Sequence, residues 1–471
     1  MGRYLSATKD INKNAIILKE NPIIFGPFQE TQPVCLGCNQ EITFKNFRKC
    51  SKCGWPVCSK KCEENPCHIP ECFYTRQNDI QISIKHLNYV NPYYQCITPL
   101  RCLYQKTHNP LAWQKLMVLE SRYEGFKSGN QLDQTIDLIH NYFKLKTTFS
   151  KEEITKICNI IAINSHEIPI SEPPFIAIYE KTSFFEHNCV ANCCKSFTNS
   201  GSILITSGTA IKNGDHLSIC YTDALWNTTN RRKFLFETKS FWCFCQRCSD
   251  PTEFGTFLSG FKCQSGNCEG CLLPRSFLQM ENPDPLWYCN KCDYTVSNIL
   301  VNTLIEKISG DIHKLDKKSV IDCKKLFHKL KGVLTTHNFL LVEIKLMLSQ
   351  LIGISYSDDS LLAGVTDEDL DLKLVLCKDL MKLTDTLITG ERRLRGLILF
   401  ELHCGLAEKA RRIFNCDGIT GEALSIFKES IKHVTECIEM LKYEPDILPE
   451  GKTCSQARKN LIEMKCLIEN S

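Results

Sequence analysis

The sequence predicts an α+β fold: a β-rich body, interrupted by metal-binding segments and followed by a helical C-terminal region. Three observations carry this expectation. β-type runs occur in residues 1–30 and again in 170–223. Cysteine and histidine clusters with zinc-type spacing lie between and after them. From about residue 297 the apolar residues recur at helical spacing to the end of the chain.

In chain order, Tyr4–Thr8 and Ala15–Leu18 read as short strands split by the turn-prone Lys9–Asn14. Residues 95–165 read as helical, with Leu100, Leu103, Trp113, Leu116, Met117 and Leu119 on one face and Ile136, Leu138, Ile139, Tyr142 and Phe143 on another. Ile203–Thr206 and His216–Tyr221 are the strand candidates of the second β region, and residues 240–292 are again rich in cysteine. The C-terminal third has the periodicity of stacked helical hairpins, as in Leu326, Leu330, Val333 and Leu334, but no clean 34-residue repeat.

The chain has 471 residues, enough for roughly two to four domains. Its formal charge is +4 with both signs intermixed, which speaks against a nucleic-acid binder, whose domains carry clustered basic residues. The opening Met1-Gly2-Arg3-Tyr4-Leu5 runs straight into alternating apolar positions rather than into a secretory leader. No stretch reaches the ~18 apolar residues of a membrane helix. Thirty cysteines without a leader point to a reduced intracellular compartment, with thiolates serving metal. Half of them fall in clusters; the others, scattered, read as small buried hydrophobes.

The first cluster is Cys35-x2-Cys38, Cys50-x2-Cys53, Cys58-x3-Cys62 and His68-x3-Cys72, four close pairs that make two tetrahedral sites. Cys67, adjacent to His68, is a competing ligand. The second cluster, Cys243-x-Cys245-x2-Cys248, leaves one position for a ligand from elsewhere. The third joins Cys263-x4-Cys268 to Cys289-x2-Cys292, with Cys271 as the alternative to Cys268. Such segments fold only with metal, each ion contributing ~10–16 kcal/mol of apparent binding energy.

The first cluster, including Cys53-Gly-Trp-Pro-Val-Cys58-Ser-Lys-Lys-Cys62, resembles the MYND zinc finger. That family binds its ions in an interleaved manner. The resemblance implies one zinc on Cys35, Cys38, Cys58 and Cys62 and another on Cys50, Cys53, His68 and Cys72. Around it, Gly2–Ile11 and Ile16–Pro22 resemble the opening strands of a SET domain. Glu186-His187-Asn188-Cys189-Val190-Ala191-Asn192 resembles the SET motif Asn-His-Ser-Cys-x-Pro-Asn, and Gly214-Asp215-His216-Leu217 the Gly-Glu-Glu-Leu strand that ends in the SET tyrosine, here Tyr221. Cys243, Cys245 and Cys248 match the post-SET cysteines, which take their fourth ligand from the motif, here Cys189. This order is similar to that of the SET and MYND domain-containing proteins. Thr98–Leu103, Leu119–Arg122 and the run from Trp287 to Cys292 look most like their arthropod branch.

The resemblance implies a SET β-fold with an inserted MYND finger, a post-SET zinc cluster and an all-helical, TPR-like C-terminal domain. It divides the chain into 1–34 (first part of SET), 35–72 (MYND), 73–170 (helical insert), 171–223 (SET core), 240–292 (post-SET) and 297–471 (helical domain). It implies S-adenosylmethionine and three or four zinc ions as cofactors, and methyl transfer to a protein lysine, in which positioning and desolvation do most of the work. Tyr221 would line the acceptor channel as the catalytic residue. Gly2, Arg3, Asn164, Glu186, His187, Tyr221 and Phe241 would contact the cofactor.

Glu186 stands where the motif has Asn, Asn188 for Ser, Ala191 for Pro and His216 for Glu, and the chain opens at the glycine-rich loop itself. An ionised Glu accepts hydrogen bonds only, so Glu186 either binds the cofactor's ammonium or repels its carboxylate. The alternative to an enzyme is a catalytically weak scaffold, a co-repressor that recruits proline-containing peptides through its MYND finger. Either would be monomeric, cytoplasmic and nuclear, without direct nucleic-acid or membrane contact. The C-terminal helices would wall off the substrate cleft with their concave side.

Overall fold

The computed structural model describes residues 3–84, 86–122, 130–278, 285–353, 362, 364–418 and 420–469. β1 (Ile16–Glu20) and β2 (Ile24–Gly26) leave the N-terminal region for two different sheets. The finger follows, with the two-residue pair β3 (Arg48–Lys49) and β4 (Pro56–Val57), then α1 (Lys60–Glu63) and α2 (Ile69–Gln77). α3 (Ile97–His108), α4 (Pro110–Met117), α5 (Asn130–Asp137) and α6 (Lys151–Asn164) form a helical layer. Its core is continuous with the finger through Trp55, Tyr94, Leu100 and Ile157. A Ser150–Glu153 capping box starts α6 and so fixes where the helix delivers Asn164 at its other end.

β5 (Ser165–Ile168) and β6 (Phe175–Ile178) complete the β2-β6-β5 sheet, antiparallel throughout. β7 (Glu186–His187) runs parallel to β10 (Ser218–Ile219), and β8 (Cys193–Phe197) joins β9 (Ile203–Ser207) and β1 in a second antiparallel sheet. β9 is the middle strand, and all five of its residues are buried, which is why Ile-Leu-Ile is legible there as a strand. α7 (Thr228–Lys239) and α8 (Gln246–Ser249) lead to an antiparallel sheet of β11 (Phe261–Lys262), β12 (Cys271–Pro274), β13 (Leu286–Cys289) and β14 (Thr295–Ser297). From there every element among the described residues is a helix: α9 (Asn298–His313), α10 (Val320–Leu330), α11 (Phe339–Leu351), α12 (Asp367–Leu387), α13 (Arg393–Asp417), α14 (Gly421–Leu441) and α15 (Pro449–Glu469). The fold is α+β, as the sequence predicts. Among the described residues no helix is long and apolar enough to cross a membrane.

Two strand expectations are corrected. Tyr4–Thr8 is not a strand but an extended arm, held to the 211–217 segment by single bridges at Ser6–His216 and Ile11–Ile211. Only Ser218 and Ile219 of the run His216–Tyr221 are in ladder geometry, because their partner strand β7 has just two residues. The sheet β11–β14 went unread, its short strands being masked by the cysteines that punctuate them.

The helical tail is seated on the back of the β1-β9-β8 sheet. Gly390, between α12 and α13, lies against the backbone of Ala191 and of Gly208. A Cβ at Gly390 would overlap the Ala191 carbonyl, and a Cβ at Gly208 would overlap Gly390. The buried Arg392 guanidinium donates to the Ser207 carbonyl, and Ser196 Oγ donates to Glu444 Oε1 at 2.6 Å. Among the described residues none of the tail is found on the cleft described below, but the tail's apolar core takes in Ala224 and Leu225 and packs against Cys220, next to Tyr221.

Burial lifts the Glu444 carboxyl from 4.5 to about 7, against the pull of Arg393. An acid that binds its proton more tightly when folded gives stability that is full below its unfolded value and lost as pH rises through the folded one. Thermal unfolding should therefore show the tail loosening between pH 4.5 and about 7. Glu444→Gln should remove that part of the pH dependence, on the order of 3 kcal/mol. An unchanged pH profile in the variant would contradict this.

Candidate active site and its metal clusters

Four groups of ligand atoms converge, each with all its members within 4.8 Å of one another: Cys35, Cys38, Cys58 and Cys62; Cys50, Cys53, His68 and Cys72; Cys189, Cys243, Cys245 and Cys248; and Cys263, Cys268, Cys289 and Cys292. Zn–S bonds of ~2.3 Å put the thiolates of a tetrahedron about 3.8 Å apart. Sγ–Sγ separations of 3.6 Å for Cys38–Cys58, 3.5 Å for Cys189–Cys248 and 3.7 Å for both Cys263–Cys292 and Cys268–Cys289 fit that edge, and none of these cysteines is disulfide-bonded. The donor sets therefore fit zinc, four protein ligands to each ion. In the finger the two groups interleave along the chain. Cys67 and Cys271 stand outside the groups; burial pushes the Cys271 thiol up to about 12, the behaviour of a packed thiol.

In front of the third group opens a cleft of about 890 Å³. Arg3, Asn164, Glu186, His187, Tyr221 and Phe241 all line it; Gly2 lies outside the described residues. Asn164 spends both amide hydrogens on the Glu120 and Ile160 carbonyls, at 2.8 Å each, leaving Oδ1 for a ligand. His187 bridges the cluster to the cleft: its Nε2 lies 3.3 Å from Cys189 Sγ, and its Nδ1 accepts from the Tyr221 backbone N–H at 3.1 Å. The Tyr221 hydroxyl donates to the Phe185 carbonyl, and burial, reinforced by Glu186, raises its phenol above the ordinary 10. The Phe241 ring stands 6.0 Å from the His187 ring, and the Arg3 guanidinium lies 5.1 Å over Phe184.

No family model matches the chain. Among curated proteins it is similar to the SET domain-containing protein SmydA-8, isoform A, of Drosophila melanogaster, 25% identical over 302 residues, which cover 62% of this chain and 63% of that protein. It is also 24% identical to the histone-lysine N-methyltransferase ASHR1 of Arabidopsis thaliana over 72% of this chain and 73% of that protein. Over a shorter stretch, 29% of this chain and 28% of the other, it is 28% identical to the histone-lysine N-methyltransferase SMYD3 of Mus musculus. The chain thus spans a little under two thirds of the fruit-fly relative's length. Its curated relatives include SET and MYND domain-containing proteins.

Two departures from the motif prove to be partners. Glu186 Oε1 and His216 Nδ1 are 2.9 Å apart, and the His216 ring stacks on Tyr4 with centroids separated by 3.8 Å. Acid on β7 and imidazole just before β10 thus meet, and the stack carries on into the N-terminal arm, whose backbone is tied down by Ala7 N–H to Asp215 O at 2.9 Å and Leu217 N–H to Leu5 O at 2.8 Å.

Sequence reasoning missed the groups behind the ligands. Glu71 receives His68 Nδ1 at 3.0 Å and Arg101 Nη2 at 2.8 Å, and the same Arg101 donates to the Leu36 and Phe25 carbonyls. One guanidinium thus orients a finger ligand and fastens the finger to β2. Behind the third group, Arg231 and Arg247 each reach Glu253 at 2.9 Å, all three fully buried, and Arg247 also donates to the Cys189 carbonyl at 3.3 Å. The acid three residues after His68 was a local signal; the second triad spans 22 residues and had none.

Elemental analysis of purified protein should return four zinc ions per chain, one for each group. Cys245→Ser should remove one ion and also lower the melting temperature of the cleft-bearing body, because Cys189 and His187 connect that cluster to Tyr221. One ion or none in the native protein would contradict the assignment.

Proposed function

We propose that the chain is an S-adenosylmethionine-dependent protein-lysine N-methyltransferase, acting on a histone or non-histone lysine in transcriptional regulation. The observation that carries this reading is the meeting of Arg3, Asn164, Glu186, His187, Tyr221 and Phe241 on one cleft. Its volume of about 890 Å³ falls within the ~300–1,000 Å³ of small-molecule sites. The cleft offers a guanidinium, a carboxylate, an amide oxygen and aromatic faces, a donor set that suits a zwitterionic amino acid joined to an adenine. Relatives named as histone-lysine N-methyltransferases support it. We keep the division of the chain that the resemblance implies.

When bound, S-adenosylmethionine supplies an electrophilic methyl group. In this reading Arg3 and Gly2 approach its polar end, Asn164 Oδ1 and Glu186 accept from its ammonium, and Phe241 covers its adenine. His187 has both ring nitrogens engaged within the protein, so it acts by holding Tyr221 in place and by its ring face. The Tyr221 hydroxyl gives its proton to Phe185 O and keeps its lone pairs for an acceptor amine. The amine must arrive neutral, from an ordinary pKa of ~10.4, and an apolar channel favours that form.

A second reading, a scaffold that recruits proline-containing peptides through the finger as a co-repressor, is favoured by one observation. Phe44 in the finger and Tyr89 just after it are 78% and 72% exposed. Cytoplasm and nucleus are the proposed locations under either reading, with the chain a monomer.

Calorimetric titration with S-adenosylmethionine separates the two readings: measurable binding supports the enzyme, and none supports the scaffold. In the enzyme, Tyr221→Phe should lower the transfer rate about 10²-fold with cofactor affinity unchanged. Loss of affinity with the rate preserved would contradict that role. Glu186→Asn and His216→Glu should each weaken cofactor binding. Because they restore the motif's pair together, the double variant should recover it, with a coupling of about 0.5–1 kcal/mol. Purely additive effects would mean that the pair does not act on the cleft.

A further inference from the structure

β8 places Cys193, Lys195 and Phe197 on one face by its period of two. Cys193 and Phe197 are 2% and 3% exposed in the apolar core of the sheet. Lys195 stands between them, an ammonium where the pattern demands a hydrophobe, and it lines the cleft. Positions that break a local rule without structural gain are where function is found.

Besides Arg3, Arg122 and His187, two more basic side chains share that cleft, Lys239 and His166. Lys239 has a structural occupation: its ammonium donates to the Ile163 and Ala162 carbonyls at 2.7 and 3.3 Å, capping the last turn of α6. Lys195 and His166 have no side-chain hydrogen bond or ion pair among the described residues. The acids that could answer them are engaged elsewhere. Glu186 is held by His216 at 2.9 Å, Glu120 by Arg122 at 3.3 Å, and the tail's Glu391 by Arg393 at 3.5 Å, while Glu167, which also lines the cleft, is exposed and stands on the other face of β5 from His166. Burial first, and then Lys195 and Lys239, drives the proton affinity of His166 down, so it faces the cleft as a neutral imidazole, and burial with Lys195 brings Lys239 to about 8.

We infer that Lys195 and His166 form a subsite for a carboxylate, brought either by an acidic side chain next to the acceptor lysine or by the cofactor's own carboxyl end. This rests on the methyltransferase reading for the identity of the ligands, not for the charge of the site. A carboxylate there offsets the Lys195–Lys239 repulsion, pairs with the Lys195 ammonium and accepts from the His166 ring N–H. It also makes the wall selective: a bare ammonium is repelled by Lys195, whereas a lysine accompanied by an acid is not.

Binding, not turnover, tests the site. The probes are S-adenosylhomocysteine, its decarboxylated analogue, and two lysine-centred degenerate peptide pools that differ only in a flanking Glu or Gln. Wild type should bind the Glu pool about tenfold more tightly than the Gln pool. Lys195→Met should abolish the difference, and Lys195→Arg should keep it. If instead Lys195→Met weakens S-adenosylhomocysteine about tenfold and leaves the decarboxylated analogue alone, the subsite stands and the cofactor supplies the carboxylate. If wild type does not distinguish the pools and Lys195→Met leaves S-adenosylhomocysteine binding intact, the subsite is overturned. Discrimination between pools without any S-adenosylhomocysteine binding would retain the subsite and remove the methyltransferase reading.

Discussion

The structure turns on a short chain of contacts through Cys189. Its thiolate belongs to the third metal group and lies 3.3 Å from His187 Nε2, whose other nitrogen accepts from the Tyr221 backbone at 3.1 Å. Tyr221 in turn fixes its hydroxyl on Phe185. β7 and β10 have two residues each, too few to hold a cleft by their own hydrogen bonds. Metal coordination therefore does what a longer ladder does elsewhere. The buried Arg231–Glu253–Arg247 triad backs it, with Arg247 on the Cys189 carbonyl. Burying these charges is tolerable because the acid meets two partners and a third, Ser259 Oγ, at 2.6 Å.

The finger is joined to the body by a similar economy. Arg101 on α3 satisfies Glu71, which orients His68, and reaches the Leu36 and Phe25 carbonyls on either side of the seam. The finger and the helical layer then share one apolar core rather than meeting across a polar boundary. An inserted zinc module is here an integral wall of the fold.

How much of this the sequence discloses depends on range. The ligand groups were legible because each pair is local and its spacing is dictated by the size of a metal ion. The choice between Cys268 and Cys271 was not, since both lie within reach of the pair at Cys289 and Cys292, and only the turn of β12 into the core removes Cys271. The helical tail was legible from periodicity alone. Glu186 and His216 were each visible as departures, but 30 residues separate them, and no periodicity links a charge on a strand to an imidazole so far along the chain. The arm at Tyr4–Thr8 misled because extended backbone with alternating apolar residues has a strand's signature whether or not a partner runs beside it. Lys195 was unremarked because one lysine in a strand is ordinary; only its neighbours' burial makes it an exception.

The glycine contact under the tail bears on what counts as a unit in this molecule. Gly390 touches the backbone of Ala191 and Gly208 with no side chain between them, and Asn192, next in the chain, holds the His216 carbonyl through its amide at 2.7 Å. The seam between helices and sheet thus includes a residue of the motif that faces the cleft. A chain cut after β14 would not be the same body with an appendage removed. It would be a body with its motif loop laid bare on one side, so modularity drawn along the sequence does not map onto pieces that can be handled separately.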